Sequence, residues 1–315
     1  MRVAAVDLGT NTTRLLVADI VDGTLDEVHR ETRFTRLGEG VDARRRLLPV
    51  AIARVRNTLS DYRRTLESLG SERTLLVATS AVRDAENGEA LLGEIEWSYG
   101  FATRLLSGED EAAMTVRGVS CGRKLSPGTL ILDIGGGSTE LIVDDFHGSL
   151  ELGSVRHTER FLHVDPPEPR ELARCAGSVR SLLAEHVPDD VRARVTDAIG
   201  VAGTLTTLAA LDLELAAYDR ERVHGHRLGR DAARAQLERL ASLPVSERRE
   251  LPAIEPERAP VIVAGAVILT ETLDYFGLDA IEVSERDILD GAAFAAAELP
   301  LPDEGAAPPG AYTCC

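Results

Sequence analysis

Apolar positions divide the chain into short strands and longer one-faced helices. Arg2 to Val6 is an apolar run that stops at an acid and resumes from Leu15 to Ile20. Asp22-Gly23 then reads as a tight turn before a third strand near Leu25 to Arg33. From Leu48 the spacing changes to threes and fours through Ile52, Val55, Leu59, Tyr62, Leu66 and Leu69, a helix buried on one face that Gly70 stops. Thr74 to Ala78 and Ala102 to Leu106 are short strands, each leading into a helix head: Thr79 to Asp84, and Ser107 to Asp110. The second is a capping box that opens a helix through Val119. Gly122 to Pro127 has linker composition.

Beyond the linker an apolar strand ends in Asp133, three glycines and Ser138-Thr139-Glu140 follow, and a second strand begins at Leu141. Ser149 to Val155 reads as a further strand, and Arg156 to Arg160 carries three side chains able to be cationic. Prolines 166, 167 and 169 precede a helix from Arg170 to Val187. A strand from Asp197 to Ala202 leads to Gly203-Thr204 at the head of the next helix, a turn that suits an anion. Pro260 to Phe276 is a strongly apolar helix, Ile281 to Val283 a last strand, and Ser284 to Asp287 caps a final helix ending near Glu298. Strands alternating with helices predict an α/β fold. The expected division is 1–120, 121–298 and a disordered tail over 299–315.

Composition narrows the function. Hydrophobic residues at 44% and charged residues at 28% describe an ordinary globular chain. A formal charge of −17 argues against general nucleic-acid binding, which needs a basic face. A polyanionic ligand must therefore be met locally by arginines, backbone donors and metal. The start of the chain has no signal-peptide pattern and no apolar run reaches membrane-spanning length, so a cytoplasmic location with no membrane partner is expected. The four cysteines lack zinc-ligand spacing, and His224 and His226 are too few to make a metal site, so both histidines read as loop residues.

The chemistry concentrates in two similar stretches. With Asp7 laid on Asp133, Gly9 falls on Gly135, Thr12 on Ser138, Thr13 on Thr139, Leu15 on Leu141 and Val17 on Val143. Glycines let a backbone approach an anion closely, and successive N–H groups converge on it as a nest. A strand, acid, glycine, hydroxyl and strand occurring twice suggests two related domains, each presenting a phosphate hairpin to a shared cleft. Glu111, at the head of the helix before the second hairpin, is a candidate base. Arg83 stands near a helix start, where an anion is favoured. The polar, glycine-punctuated loop Arg33 to Asp42 has arginines within reach of an anion, with a solvated loop as the default reading.

Six segments then carry a resemblance: V-D-L-G-T-N-T-T-R at 6–14, T-R-L-G-E-G at 35–40, A-T-S-A-V-R-D-A at 78–85, L-S-G-E-D-E-A at 106–112, L-D-I-G-G-G-S-T-E-L at 132–141 and V-A-G-T-L-T-T-L at 201–208. Weaker matches follow at 261–266 and 283–291. In this order they resemble the exopolyphosphatase/guanosine pentaphosphate phosphohydrolase (Ppx/GppA) family of the sugar kinase, heat-shock chaperone and actin superfamily. The resemblance implies two actin-like (ribonuclease H-like) domains facing an interdomain cleft. It implies Mg²⁺-dependent release of terminal phosphate, with Mn²⁺ as a substitute ion, from inorganic polyphosphate or a guanosine alarmone. Glu111 maps to the catalytic glutamate, and Asp7, Asp133 and Glu140 to ligands of metal and water. Phosphate contacts map to Asn11, Arg14, Arg83, Gly135, Gly136, Gly137, Ser138, Gly203 and Thr204. The chain ends before the C-terminal helical domains of longer members, which favours short polyphosphates, and a homodimer is expected. The rival functions are pppGpp hydrolysis by the same residues, a kinase of the superfamily, and a non-catalytic polyphosphate or alarmone sensor.

Overall fold

A computed structural model describes residues 1–300. Beyond Leu299 and Pro300, the tail read as disordered, with Cys314 and Cys315, lies outside the described residues. The chain forms two compact units: Met1–Arg123 together with the chain from Arg286, and Lys124–Glu285.

The first unit is built on a sheet of β1 (Arg2–Leu8), β2 (Thr12–Val21), β3 (Thr24–Phe34), β4 (Arg73–Ala78) and β5 (Ala102–Leu105), in the order β3-β2-β1-β4-β5. The first three strands form an antiparallel meander, and β4 and β5 add in parallel. β1 is apolar without alternation because both of its faces are covered. Ala4, Val6 and Leu8 join one cluster with Val55, Leu59 and Tyr62 of the helix Pro49–Leu69. Val3 and Ala5 join another with Leu289, Ala292 and Ala293 of the helix Ile288–Ala297. Period-two parity puts Asp7 on the Val3 face and Arg14 on the face of Leu16 and Ala18, the side of that last helix.

The second unit contains β6 (Thr129–Ile134), β7 (Thr139–Val143), β8 (Phe146–Leu150), β9 (Asp197–Val201), β10 (Arg227–Gly229) and β11 (Ala280–Val283), in the order β10-β11-β9-β6-β7-β8. Its strands β8-β7-β6-β9-β11 repeat the first sheet's order and directions, and β10 adds an antiparallel edge. This duplicated mixed sheet is the actin-like α/β architecture. Leu130, Leu132, Ile134, Leu141 and Val143 share a core with Val179 and Leu183 of the helix Pro169–His186 and with Val263 and Val267 of the helix Ile262–Phe276. Asp133 and Glu140 alternate with these residues and so lie on the opposite face of the sheet.

Three expectations are corrected. The last helix does not belong to a second domain spanning 121–298; Ile288, Leu289, Ala292, Ala293 and Ala296 bury an apolar face of the first sheet, and even Leu299 packs there. The stretch 149–155 is not one strand. β8 ends at Leu150, and Gly153 caps a helix, Ser154–Phe161, whose first N–H groups turn back onto the glycine turn. Residues 35–40 are not a solvated loop: Thr35 and Leu37 are fully buried. The helices Gly88–Tyr99 and Arg230–Ser242 carry no signal that the sequence reading detected. Among the described residues no helix is long and apolar enough to cross a membrane.

Candidate active site

Both hairpin turns close in the same way. Gly9 N donates to Thr12 O at 3.0 Å, and Gly135 N donates to Ser138 O at 3.0 Å. A Cβ added to either glycine would meet that same carbonyl, at 3.1 and 3.0 Å. The repeat inferred from residues is thus a repeat in bonds.

In the second turn every carbonyl is engaged from one side. Ser154 N donates to Gly135 O at 3.0 Å, Val155 N and Arg156 N to Gly136 O at 2.9 and 3.1 Å, and Arg156 Nε to Gly137 O at 2.6 Å. A planar trans peptide points its N–H away from its C=O. The N–H groups of Gly136, Gly137 and Ser138 therefore face the other way, and none meets a protein acceptor among the described residues. Three such donors in sequence make an anion nest. Gly153 permits the arrangement, since a Cβ there would lie 2.3 Å from Gly136 O. At the strand ends Asp133 and Glu140 are directly opposite in the β6–β7 register, both buried, and Ser149 Oγ donates to Glu140 Oε1 at 3.0 Å.

The first turn is backed differently. Gly38 N donates to Thr10 O at 2.8 Å and Arg36 N to Asn11 O at 2.9 Å, so the 35–40 loop replaces the helix. The residue opposite Asp7 is Arg14, which donates through Nε to Asp7 Oδ2 at 2.8 Å and through Nη1 to Asp287. Burial pushes the Asp7 carboxyl above its ordinary pKa, against the pull of Arg14. Burial also opposes ionisation of Asp287, but Arg14 and Arg30 outweigh it and hold that pKa low. Asp7 Oδ1 is buried with no hydrogen-bond partner, an oxygen that a water or cation would satisfy. Arg30 extends the network to both oxygens of Asp290 at 3.1 Å.

Glu111 and Arg83 come together. Ser107 and Asp110 form the expected capping box, which places Glu111 in the first turn of the helix Gly108–Val119, buried to 4% exposure. Arg83 Nη1 donates to a Glu111 carboxylate oxygen and to Leu106 O at 2.7 Å. Both bonds use Nη1, which leaves the Nη2 edge for an anion. Thr10 Oγ1 lies 2.9 Å from Ser80 Oγ, tying the first turn to the short helix that ends in Arg83. In the second unit Ala202 is left-handed (φ 69°) where β9 passes into the helix Ala202–Asp212. A Cβ on the next residue, Gly203, would lie 2.0 Å from Arg258 Nη1. Thr204 is buried against Gly265.

The sequence reading missed Asp287, Arg156 as the support of the turn, and Arg258. Asp287 had appeared only as a helix cap, which it also is. His226 Nε2 sits 2.7 Å from Asp212 Oδ2 and His224 Nδ1 accepts from Glu285 N, so both are structural. Among the described residues no group of three or more His, Cys, Asp or Glu is arranged to hold a metal. The hairpin acids are instead a pair, Asp133 with Glu140, and a single Asp7.

Two α/β units of one topology, each with an acid ending the strand before a glycine turn, define the class. Residues 16–297 match the Ppx/GppA phosphatase family, and the chain belongs to it. It is 38% identical to exopolyphosphatase 2 of Mycobacterium tuberculosis, over 94% of this chain and 98% of that one. It is 31% identical to exopolyphosphatase 1 of the same organism, over 92% and 87%. A solved Ppx/GppA family member from Aquifex aeolicus superimposes with a TM-score of 0.79 at 31% identity, covering 95% and 99% of the two chains.

Proposed function

We propose that this phosphatase is an exopolyphosphatase that hydrolyses the terminal phosphoanhydride of inorganic polyphosphate and releases orthophosphate. The observation that carries the reading is the Gly135–Ser138 turn, whose carbonyls are pinned so that the N–H groups of Gly136, Gly137 and Ser138 are left facing away, beside two opposed carboxylates at the strand ends. The similarity to the two mycobacterial exopolyphosphatases favours polyphosphate as the substrate class.

In this reading the N–H groups of the second unit's turn bind phosphoryl oxygens, and in the first unit the Nη2 edge of Arg83, beside Glu111, is a further anion donor. Glu111, fixed by its capped helix, orients the attacking water and accepts its proton. The leaving group is the shortened chain. In the second unit Asp133 and Glu140 would suit Mg²⁺, which keeps most of its water and needs only one or two carboxylates; in the first, Asp7 Oδ1 is a buried acceptor that a water or cation would satisfy. When bound, the ion would offset charge developing on the phosphoryl oxygens. Gly203 and Thr204, with Arg258, add a further anion-binding turn.

Glu111→Gln keeps the fold and its bond to Arg83 but cannot take a proton. Its phosphate release from tripolyphosphate should fall by about 10²–10³ with an unchanged melting temperature. Wild-type turnover in that variant removes Glu111 as the base. The family's other chemistry, hydrolysis of guanosine pentaphosphate, ends in the same phosphoanhydride, and parallel kinetics on the two substrates decide between them.

A further inference from the structure

The loop that backs the first hairpin differs from the rest of the chain in its charge. Many arginines of the chain, Arg56, Arg194 and Arg234 among them, are tied to carboxylates. Among the described residues Arg36, Arg44, Arg45 and Arg46 form no ion pair, and the last three are exposed side by side. Three adjacent unpaired guanidinium groups are unusual in a chain of net charge −17. Residues 41–46 contain one acid, Asp42, and the neighbouring Glu39 is held by Arg54 at 3.0 Å.

The loop is also firmly held. Leu47 is buried, and the Asn87 side chain bonds both its N–H and its C=O, at 2.8 and 3.1 Å. Glu86 N donates to Arg45 O at 2.9 Å. Arg36 and Arg45 both sit in the left-handed region, at φ 48° and 53°; Arg45 is a helix C-cap, a position glycine normally fills. Holding two arginines in that region costs conformational energy, which the fixed loop absorbs. The loop adjoins the site: Arg36 N and Gly38 N bond the carbonyls of Asn11 and Thr10, and the Arg44 guanidinium lies against Gly40.

We propose that Arg44, Arg45 and Arg46, with Arg36, form a distal subsite for a linear polyphosphate, binding phosphates behind the one that is hydrolysed. This rests on the exopolyphosphatase reading and deepens it by naming a longer chain as substrate. Every residue of such a chain offers the same anionic oxygens, which guanidinium groups grip through paired N–H donors. A guanosine alarmone would present a purine, and residues 35–48 contain no aromatic side chain to stack it.

The test compares tripolyphosphate, with two phosphates behind the terminal one, with a chain of dozens of phosphates. Replacing Arg44, Arg45 and Arg46 together by Gln should raise KM for the long chain at least tenfold and leave tripolyphosphate kinetics within twofold. The log–log salt dependence of long-chain affinity should flatten by about 0.7–0.9 for each arginine that no longer meets a phosphate. Arg45→Gly separates binding from folding: it relieves the left-handed strain, so its melting temperature should rise while long-chain KM also rises. Equal losses on both substrates, or none on either, overturn the subsite. If the wild type cleaves neither substrate, the exopolyphosphatase reading fails. The arginines are then judged by anisotropy of an end-labelled polyphosphate, where weaker binding by the triple variant supports the subsite and unchanged or undetectable binding overturns it.

Discussion

The two hairpins share a turn, a closing bond and an acid at the same strand position, yet they differ in the residue across from that acid. Asp7 faces Arg14, and Asp133 faces Glu140. In the first hairpin the acid has a cationic partner, Arg14, which it shares with Asp287 at the cap of the last helix. In the second, two buried carboxylates stand directly opposite each other, an arrangement of like charges that favours a bound cation. One fold element thus becomes an internal ion pair in one unit and a candidate cation holder in the other. A single cross-strand residue decides which.

The largest expected effect comes from making the second hairpin resemble the first. Glu140→Arg should lower phosphate release by at least about 10³ and abolish any rise in melting temperature on adding Mg²⁺. A variant that keeps its Mg²⁺-dependent stabilisation breaks the contrast. Next are the supports behind the turns. Gly153→Ala drives a Cβ into the backbone carbonyl of Gly136, whereas Gly38→Ala meets the Thr10 methyl, a side chain that can give way at the cost of its bond to Ser80. Gly153→Ala should cost about 1–3 kcal/mol in chemical denaturation and most of the kcat/KM; Gly38→Ala should cost less of both. Equal effects would mean that the two backings are equivalent.

The smallest effect is at Asp287. Asp287→Asn should destabilise by about 1–3 kcal/mol at neutral pH, since it weakens a buried charge-assisted bond to Arg14 but keeps a cap. The Asp287 carboxyl has a lowered pKa in the fold, so its contribution is full above the ordinary carboxylate range and fades as pH falls through the lowered value. The melting gap between wild type and variant should therefore close in acid. A gap that widens would reverse the sign assigned to Asp287.

Much of this was legible because it is local. The strand–acid–glycine unit, the Ser107 capping box and the one-faced helix ending at Gly70 each follow from residues a few positions apart, and each appears where expected. What escaped depends on distant partners. Nothing near Asp287 announces Arg14, and nothing in Ser149 to Val155 tells a strand from a helix start until the Gly136 carbonyl is there to receive its N–H groups. The last helix read as part of the second domain because it follows it in sequence, although its alanine-rich face matches the first sheet.

That helix sets an order of events on the ribosome. The second unit, Lys124–Glu285, is an insertion within the first, and its core residues are all synthesised before Ile288 emerges. The sheet begun at Arg2 must wait with Val3, Ala5, Leu75 and Val77 uncovered until the final segment leaves the exit tunnel. Protease sensitivity of a released chain truncated after Glu285 should therefore be confined to residues before 124; equal protection of both parts would contradict it. The part of the chain made first is the last to finish folding.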